Sequence, residues 1–195
     1  GEEEPVLEAF RGILKRFPSA LLVLVPRHPA RAPRAVQLAR SNGLSVDVYS
    51  AGLNTGLGCA AALECLVVDV TGELLRFYAA CDVAFVGGSL ASTGGHNMLE
   101  PAALSVPVLL GPHTFNFADI SRELLAAGGA KLVLDAAGLE DSVCELLGDA
   151  ALRKQMGSAG HALFERGQGA LAHTLEITGR LLSAETAREA TAEAD

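Results

Sequence analysis

From Ala84 to Pro112 the chain reads AFVGGSLASTGGHNMLEPAALSVPVLLGP: an apolar run, a glycine pair, a second glycine pair, a polar helix start and another apolar run. The pairs Gly87-Gly88 and Gly94-Gly95 let backbone amides come close to a ligand, and the helix start that follows turns its positive end toward an anion. That is the chemistry of a phosphate cradle. The plainer alternative for Gly94-Gly95-His96-Asn97 is a surface turn closed by Asn97, itself a good N-cap residue.

Three further groups fit the same chemistry. In Val25-Pro26-Arg27-His28-Pro29 an arginine stands between prolines that restrict the backbone around it. A guanidinium held there can fork onto a phosphate, although the local sequence taken alone slightly favours a solvated arginine in a proline-rich turn. Glu100 falls in the first turn of the helix, just before Pro101. Its carboxylate either complements the helix dipole or accepts hydrogen bonds from ribose hydroxyls. The loop Gly111-Pro112-His113-Thr114-Phe115-Asn116-Phe117 is placed to close over a ligand, with Phe115 or Phe117 plugged into the core.

Other chemistries fail on spacing. Gly56-Leu57-Gly58-Cys59-Ala60-Ala61 matches G-x-G-x-x-A, but the next strand begins near Cys65 and leaves no room for the helix a dinucleotide site needs. Gly87-Gly88-Ser89-Leu90-Ala91 resembles a nucleophile elbow without its final glycine, and a second glycine pair stands where the helix should start. The five histidines, His28, His96, His113, His161 and His173, show no metal-ligand spacing, so no metal site and no cofactor are expected.

The elements that must position these loops alternate regularly. Leu21–Val25, Val46–Ser50, Cys65–Val70, Val83–Gly88, Val106–Gly111 and Ala130–Asp135 are short apolar runs bounded by Pro, Gly or Asp, and predict about six strands. Several are apolar throughout, as in a parallel sheet covered on both faces. Amphipathic stretches lie at Glu3–Phe17, Arg31–Asn42, Gly72–Ala80, Met98–Leu104, Asn116–Ala127 and Leu139–Leu147. The expected fold is a three-layer, doubly wound parallel α/β sheet whose ligand crevice lies beyond the carboxyl ends of the strands. After Asp135 the pattern becomes helical. We therefore expect one domain over residues 1–183 and a polar, frayed or disordered tail over 184–195. The chain opens directly on a helix, so the first strand of such a domain is expected upstream.

Composition narrows the partners. The chain has 195 residues, half of them apolar, with a net charge of −8, which suits one domain and argues against a nucleic-acid or anionic-membrane surface. No apolar run approaches the roughly 20 residues of a membrane span, and GEEEP is too acidic for a signal peptide. Cys59, Cys65, Cys81 and Cys144 lack C-x-x-C spacing, and three of them lie beside or within apolar segments where a reduced thiol packs as a small hydrophobe, consistent with a reducing, cytoplasmic setting.

FVGGSLASTGGHNMLEPAALSVPVLLGPHTFNF, with LVLVPRHPARA upstream and GELLRFYAACDVAF between, closely resembles the C-terminal domain of 3-deoxy-D-manno-octulosonic acid (Kdo) transferase. That family consists of GT-B-fold glycosyltransferases using CMP-Kdo to glycosylate lipid A precursors in lipopolysaccharide synthesis. The resemblance runs from about Gly1 into the C-terminal helices. It implies a Rossmann-like C-terminal half of a GT-B fold that binds CMP-Kdo or CMP. Pro26, Arg27 and His28 would face the CMP moiety, Arg27 as the phosphate ligand. Gly87, Gly88 and Ser89 match the family's GGS turn near the donor. Gly94, Gly95, His96 and Asn97 match the loop approaching phosphate and sugar, and Glu100 the ribose-binding position.

Ala91-Ser92-Thr93 departs from the pattern, since related sequences often carry a bulkier or basic residue there. The family's N-terminal domain, with the acceptor site for the lipid A precursor and the catalytic base, has no counterpart here. On this reading the chain is a fragment with no transferase activity of its own, and its parent enzyme works at the cytoplasmic face of the inner membrane. Two other readings stay open: a UDP-sugar GT-B transferase or epimerase domain, and a non-catalytic nucleotide-binding or interaction module.

Overall fold

The computed structural model describes residues 1–55 and 63–192. The G-x-G-x-x-A segment at 56–61 therefore lies outside the described residues. All six expected strands are present, each shorter than its apolar run: β1 (Leu22–Leu24), β2 (Val46–Val48), β3 (Cys65–Val67), β4 (Ala84–Val86), β5 (Val108–Leu110) and β6 (Ala130–Leu132). The helices are α1 (Glu3–Arg16), α2 (Ala32–Ser41), α3 (Tyr49–Thr55), α4 (Leu74–Ala80), α5 (Leu99–Ala103), α6 (Ala118–Ala126), α7 (Ala136–Gly148) and α8 (Ala150–Ala192). The backbone of α8 runs on past residue 183 as far as Ala192.

Every strand pairing is parallel, and the strands form two three-stranded sheets, ordered β1-β3-β2 and β4-β5-β6. The α/β class expected from the alternation holds. The difference from one continuous sheet is that, among the described residues, β1 and β4 are edges, each hydrogen-bonded to a neighbour strand on one side only.

The layering follows from the side-chain pattern. β5 is buried at all three positions, and its alternation sends Val108 and Leu110 to one core and Leu109 to another. The first core joins Val86, Met98, Ala102 and Leu124; the second joins Ala9, Val133, Leu139, Leu146 and Met156. A third core, under the β1-β3-β2 sheet, joins Leu7, Phe10 and Ile13 of α1 to Ala32, Ala35 and Ala39 of α2, with Cys65, Val67 and Cys144. Helix α1 thus serves two cores: Leu7, Phe10 and Ile13 enter one, and Ala9 turns toward α7 and the other. This helix joins the two sheets.

Cys65 and Cys144 are buried free thiols and Cys81 is half-buried; Cys59 lies outside the described residues. Burial pushes the Cys65 thiol up to about 12 and, together with the Asp82 charge, Cys81 up to about 11. At pH 8 both stay protonated, and only the thiolate reacts. Alkylation of the native chain with iodoacetamide, mapped by peptide mass, is expected to leave Cys65 unmodified until denaturant is added; fast labelling of native Cys65 would contradict the packing described.

Candidate functional site

The site loops follow the carboxyl ends of the strands, and the sequence explains how each is held. After β4 the chain passes Gly87 and turns at Gly88, whose φ of +74° is the left-handed region that favours glycine. Ser89 is almost wholly buried. Its hydroxyl donates to the Val86 carbonyl at 2.6 Å and accepts from the Gly111 amide at 2.8 Å, while its carbonyl accepts from the His113 amide at 2.8 Å. Ser89 therefore fastens the β4 loop to the β5 loop, and its side chain faces the interior.

The second glycine pair folds back on the first. The Gly95 amide donates to the Gly88 carbonyl at 2.7 Å, and Thr93 Oγ1 donates to the same carbonyl at 2.8 Å. Gly94, at φ +98°, accepts from the Asn116 amide at 3.0 Å; a Cβ here would run into the Asn116 amide group and the Phe115 ring. Phe117 packs into the core beneath, and Phe115 stays 64% exposed. One of the two phenylalanines of this third loop thus plugs the core, and the other packs over Gly94.

His96 and Asn97 are exposed, and their amides donate no hydrogen bond among the described residues. Asn97 Oδ1 accepts from the Leu99 amide at 3.1 Å, closing the start of α5, and its Nδ2 donates to Glu100 Oε1 at 3.0 Å. Glu100 is half-buried beside α4, where burial and the Glu100 charge push the Tyr78 hydroxyl up to about 12. Helix α5 has five residues, too short for a strong dipole. An anion near it is bound chiefly by individual N–H groups.

Pro26 is half-buried and Arg27 and His28 are exposed just past the end of β1. Neither Arg27 nor His28 is joined to the glycine loops by a hydrogen bond or ion pair among the described residues. Their loop is tied instead to α1: Arg31, at the end of a single 3-10 turn over Pro29–Arg31, pairs with Glu3 Oε1 at 3.1 Å. The site residues thus fall into two groups, 87–100 on one sheet and 26–28 on the other, with the N-terminus of α1 between them.

Two features escape a reading of the sequence. The β3–α4 loop reaches the same end of the fold, where Asp69 accepts from the Ser50 amide at 3.1 Å and the Ser50 hydroxyl at 2.5 Å. That hydroxyl holds the Asp69 carboxyl below its ordinary value. The other is Glu2. Its Oε1 accepts from the amides of Leu90 at 2.5 Å and Ala91 at 2.8 Å, and its Oε2 accepts from the Gly88 amide. The amides of the first glycine loop, expected to receive a ligand phosphate, already hold a carboxylate of the chain itself. Nothing near Glu2 in the sequence signals this, because its partners lie 86 to 89 residues away.

No protein-family model matches the chain. It is 38% identical over 178 residues to the 3-deoxy-D-manno-octulosonic acid transferase of Haemophilus influenzae, covering 91% of this chain and 41% of that protein. With the enzyme of the same name from Bordetella pertussis it shares 38% identity over 180 residues, 90% of this chain and 41% of the relative. The chain therefore spans about two fifths of the length of these curated relatives. Among solved structures it is similar to the C-terminal CMP-Kdo binding domain of WaaA from Acinetobacter baumannii, with a TM-score of 0.76 and 32% identity over 83% of this chain and 82% of that one. The doubly wound architecture, the paired glycine loops and these matches agree: the chain belongs to the 3-deoxy-D-manno-octulosonic acid transferase family of glycosyltransferases and corresponds to its C-terminal domain.

Proposed function

We propose that this chain is the donor-binding domain of a glycosyltransferase that transfers Kdo from CMP-Kdo to a lipid A precursor. The observation that carries this is the match over most of its length to a domain that binds CMP-Kdo in a relative. The local geometry supplies the chemistry. Arg27 presents a guanidinium with no protein partner among the described residues, free to fork onto the CMP phosphate. The open amides of His96 and Asn97 add donors for the phosphate or sugar, and the Glu100 carboxylate, oriented by Asn97, accepts from ribose hydroxyls. Gly87, Gly88, Ser89, Gly94 and Gly95 shape the loop that carries them.

In transfer, these groups stabilise charge on the departing CMP, and the base that deprotonates the acceptor sugar belongs to the acceptor half of the enzyme. In this reading the transferase acts at the cytoplasmic face of the inner membrane; among the described residues no helix is long and apolar enough to cross a membrane. The donor itself is the only small molecule this domain requires, with no metal or cofactor.

Calorimetric titration of the chain with CMP tests the site. Losing one charge-assisted phosphate contact is expected to weaken affinity about tenfold in Arg27→Ala. Glu100→Ala is expected to weaken CMP more than a ligand lacking ribose hydroxyls. Unaltered CMP affinity in both variants overturns the assignment, and equal competition by UMP favours a uridine-nucleotide donor.

A further inference from the structure

Glu2 stands at the N-cap of α1, yet its side chain makes no hydrogen bond to its own helix. It reaches instead into the loop after β4, where three backbone amides converge on its carboxylate. Hydrogen bonds with one ionised partner are the stronger kind, and three on one carboxylate fix both the loop and the carboxylate. Gly87 is part of the fit, since a Cβ there would approach Glu2 Oε2 to 3.0 Å. Gly88 is gripped from both sides, its amide by Glu2 and its carbonyl by Gly95 and Thr93. The next residue, Glu3, holds the Arg31 turn that follows Arg27. Two adjacent carboxylates thus hold one loop from each sheet.

We propose that Glu2 is a positioning residue: its carboxylate acts as a built-in anion that sets the Gly87–Gly95 loop, and through Gly95 the His96–Asn97 amides, in the geometry that receives the donor. This rests on the donor reading given above. The first glycine loop then binds no part of the nucleotide directly. Its amides are a carboxylate receptor whose ligand comes from the start of α1, and of the two glycine loops the donor meets only the second. Glu3 has the weaker part, because its ion pair with the 45% exposed Arg31 is largely solvated.

An open groove lined by Glu2, Glu8, Leu90, Ala91 and Asp135 flanks the contact, so a small anion can reach the cradle once the side chain is removed. The test uses the full chain with Glu2→Ala and Glu2→Gln, and Glu4→Gln, an exposed carboxylate of the same helix, as control. Glu2→Ala is expected to bind CMP about tenfold more weakly. Sodium formate should restore that affinity and saturably shift the Gly88, Leu90 and Ala91 amide resonances, with neither effect in the unaltered chain. Glu2→Gln keeps the volume and one acceptor, so it should fold and bind with intermediate affinity, and Glu4→Gln should bind as the unaltered chain does. If the unaltered chain binds CMP and both Glu2 variants bind it equally well, the inference fails and the donor reading stands. Weakened binding that formate leaves uncorrected, with no amide shift, also overturns it. If the unaltered chain does not bind CMP, the donor reading falls and this inference with it.

Discussion

Replacing Gly111 by alanine is expected to destabilise the chain by about 3 kcal/mol, at the upper end of the cost of forcing an extra group into a packed interior. For a chain of this size that corresponds to a fall of roughly 10 °C in the midpoint of thermal unfolding. Gly111 closes β5 and is buried. A Cβ there would land on the carbonyl carbon and oxygen of Ser89 and the amide nitrogen of Leu90. These are backbone atoms, already fixed by the His113 amide and by Glu2, so no flexible side chain can swing away to relieve the overlap. Relief requires the β4 and β5 loops to separate, which breaks the Gly111 amide bond to Ser89 and shifts the cradle. CMP affinity should therefore fall together with stability. A variant with the midpoint and CMP affinity of the unaltered chain would show that the loops are not clamped in this way.

The overlap at Gly111 also shows what kind of information a sequence carries. The strands were legible because their cause is local: apolar runs bounded by turn residues, with β5 apolar at every position because it is covered on both faces. The glycine pairs were legible as a place where the backbone does something unusual. What they do was not. Gly88 and Gly94 have positive φ so that two loops of the same chain can pack together, and the first cradle is filled from α1. Each of these facts depends on a partner far along the chain.

The same reason accounts for α3. VDVYS reads as a strand through Ser50, but Asp69 accepts from the Ser50 amide, and β2 gives way to helix at Tyr49. Helix α7 likewise starts at Ala136 and not at Leu139, because Asp135 caps it by accepting from the Gly138 amide at 2.8 Å. Arg27 and Glu100 were legible as chemistry. That the two belong to separately hydrogen-bonded sheets joined through α1 was not, since strand pairing leaves no mark in local pattern.

Gly157→Ala should likewise destabilise by about 3 kcal/mol, against the trend for glycine in a helix. Glycine inside a helix is ordinarily about 1 kcal/mol worse than alanine, so propensity alone predicts a gain. Here α8 passes directly over the turn that ends α5. A Cβ at Gly157 would strike the carbonyl oxygen of Ser105, a residue itself held at a φ of +59°. One turn on, a Cβ at Gly129 would approach Gly160 Cα to 2.6 Å, and the next position in α8, His161, holds the Ala103 carbonyl through Nδ1 at 2.8 Å. The glycines at 157 and 160 thus let α8 lie close against two turns of the β4-β5-β6 half, where Met156 and Leu163 join its two cores. Displacing α8 by a methyl group opens both cores together. Gly167→Ala serves as the comparison, because a Cβ there meets nothing within 4 Å and propensity alone should act. The expected pattern in thermal unfolding is a large fall for Gly157→Ala and a small rise for Gly167→Ala. If both variants rise alike, α8 does not make the close crossing described, and the helix contributes to the fold by propensity alone.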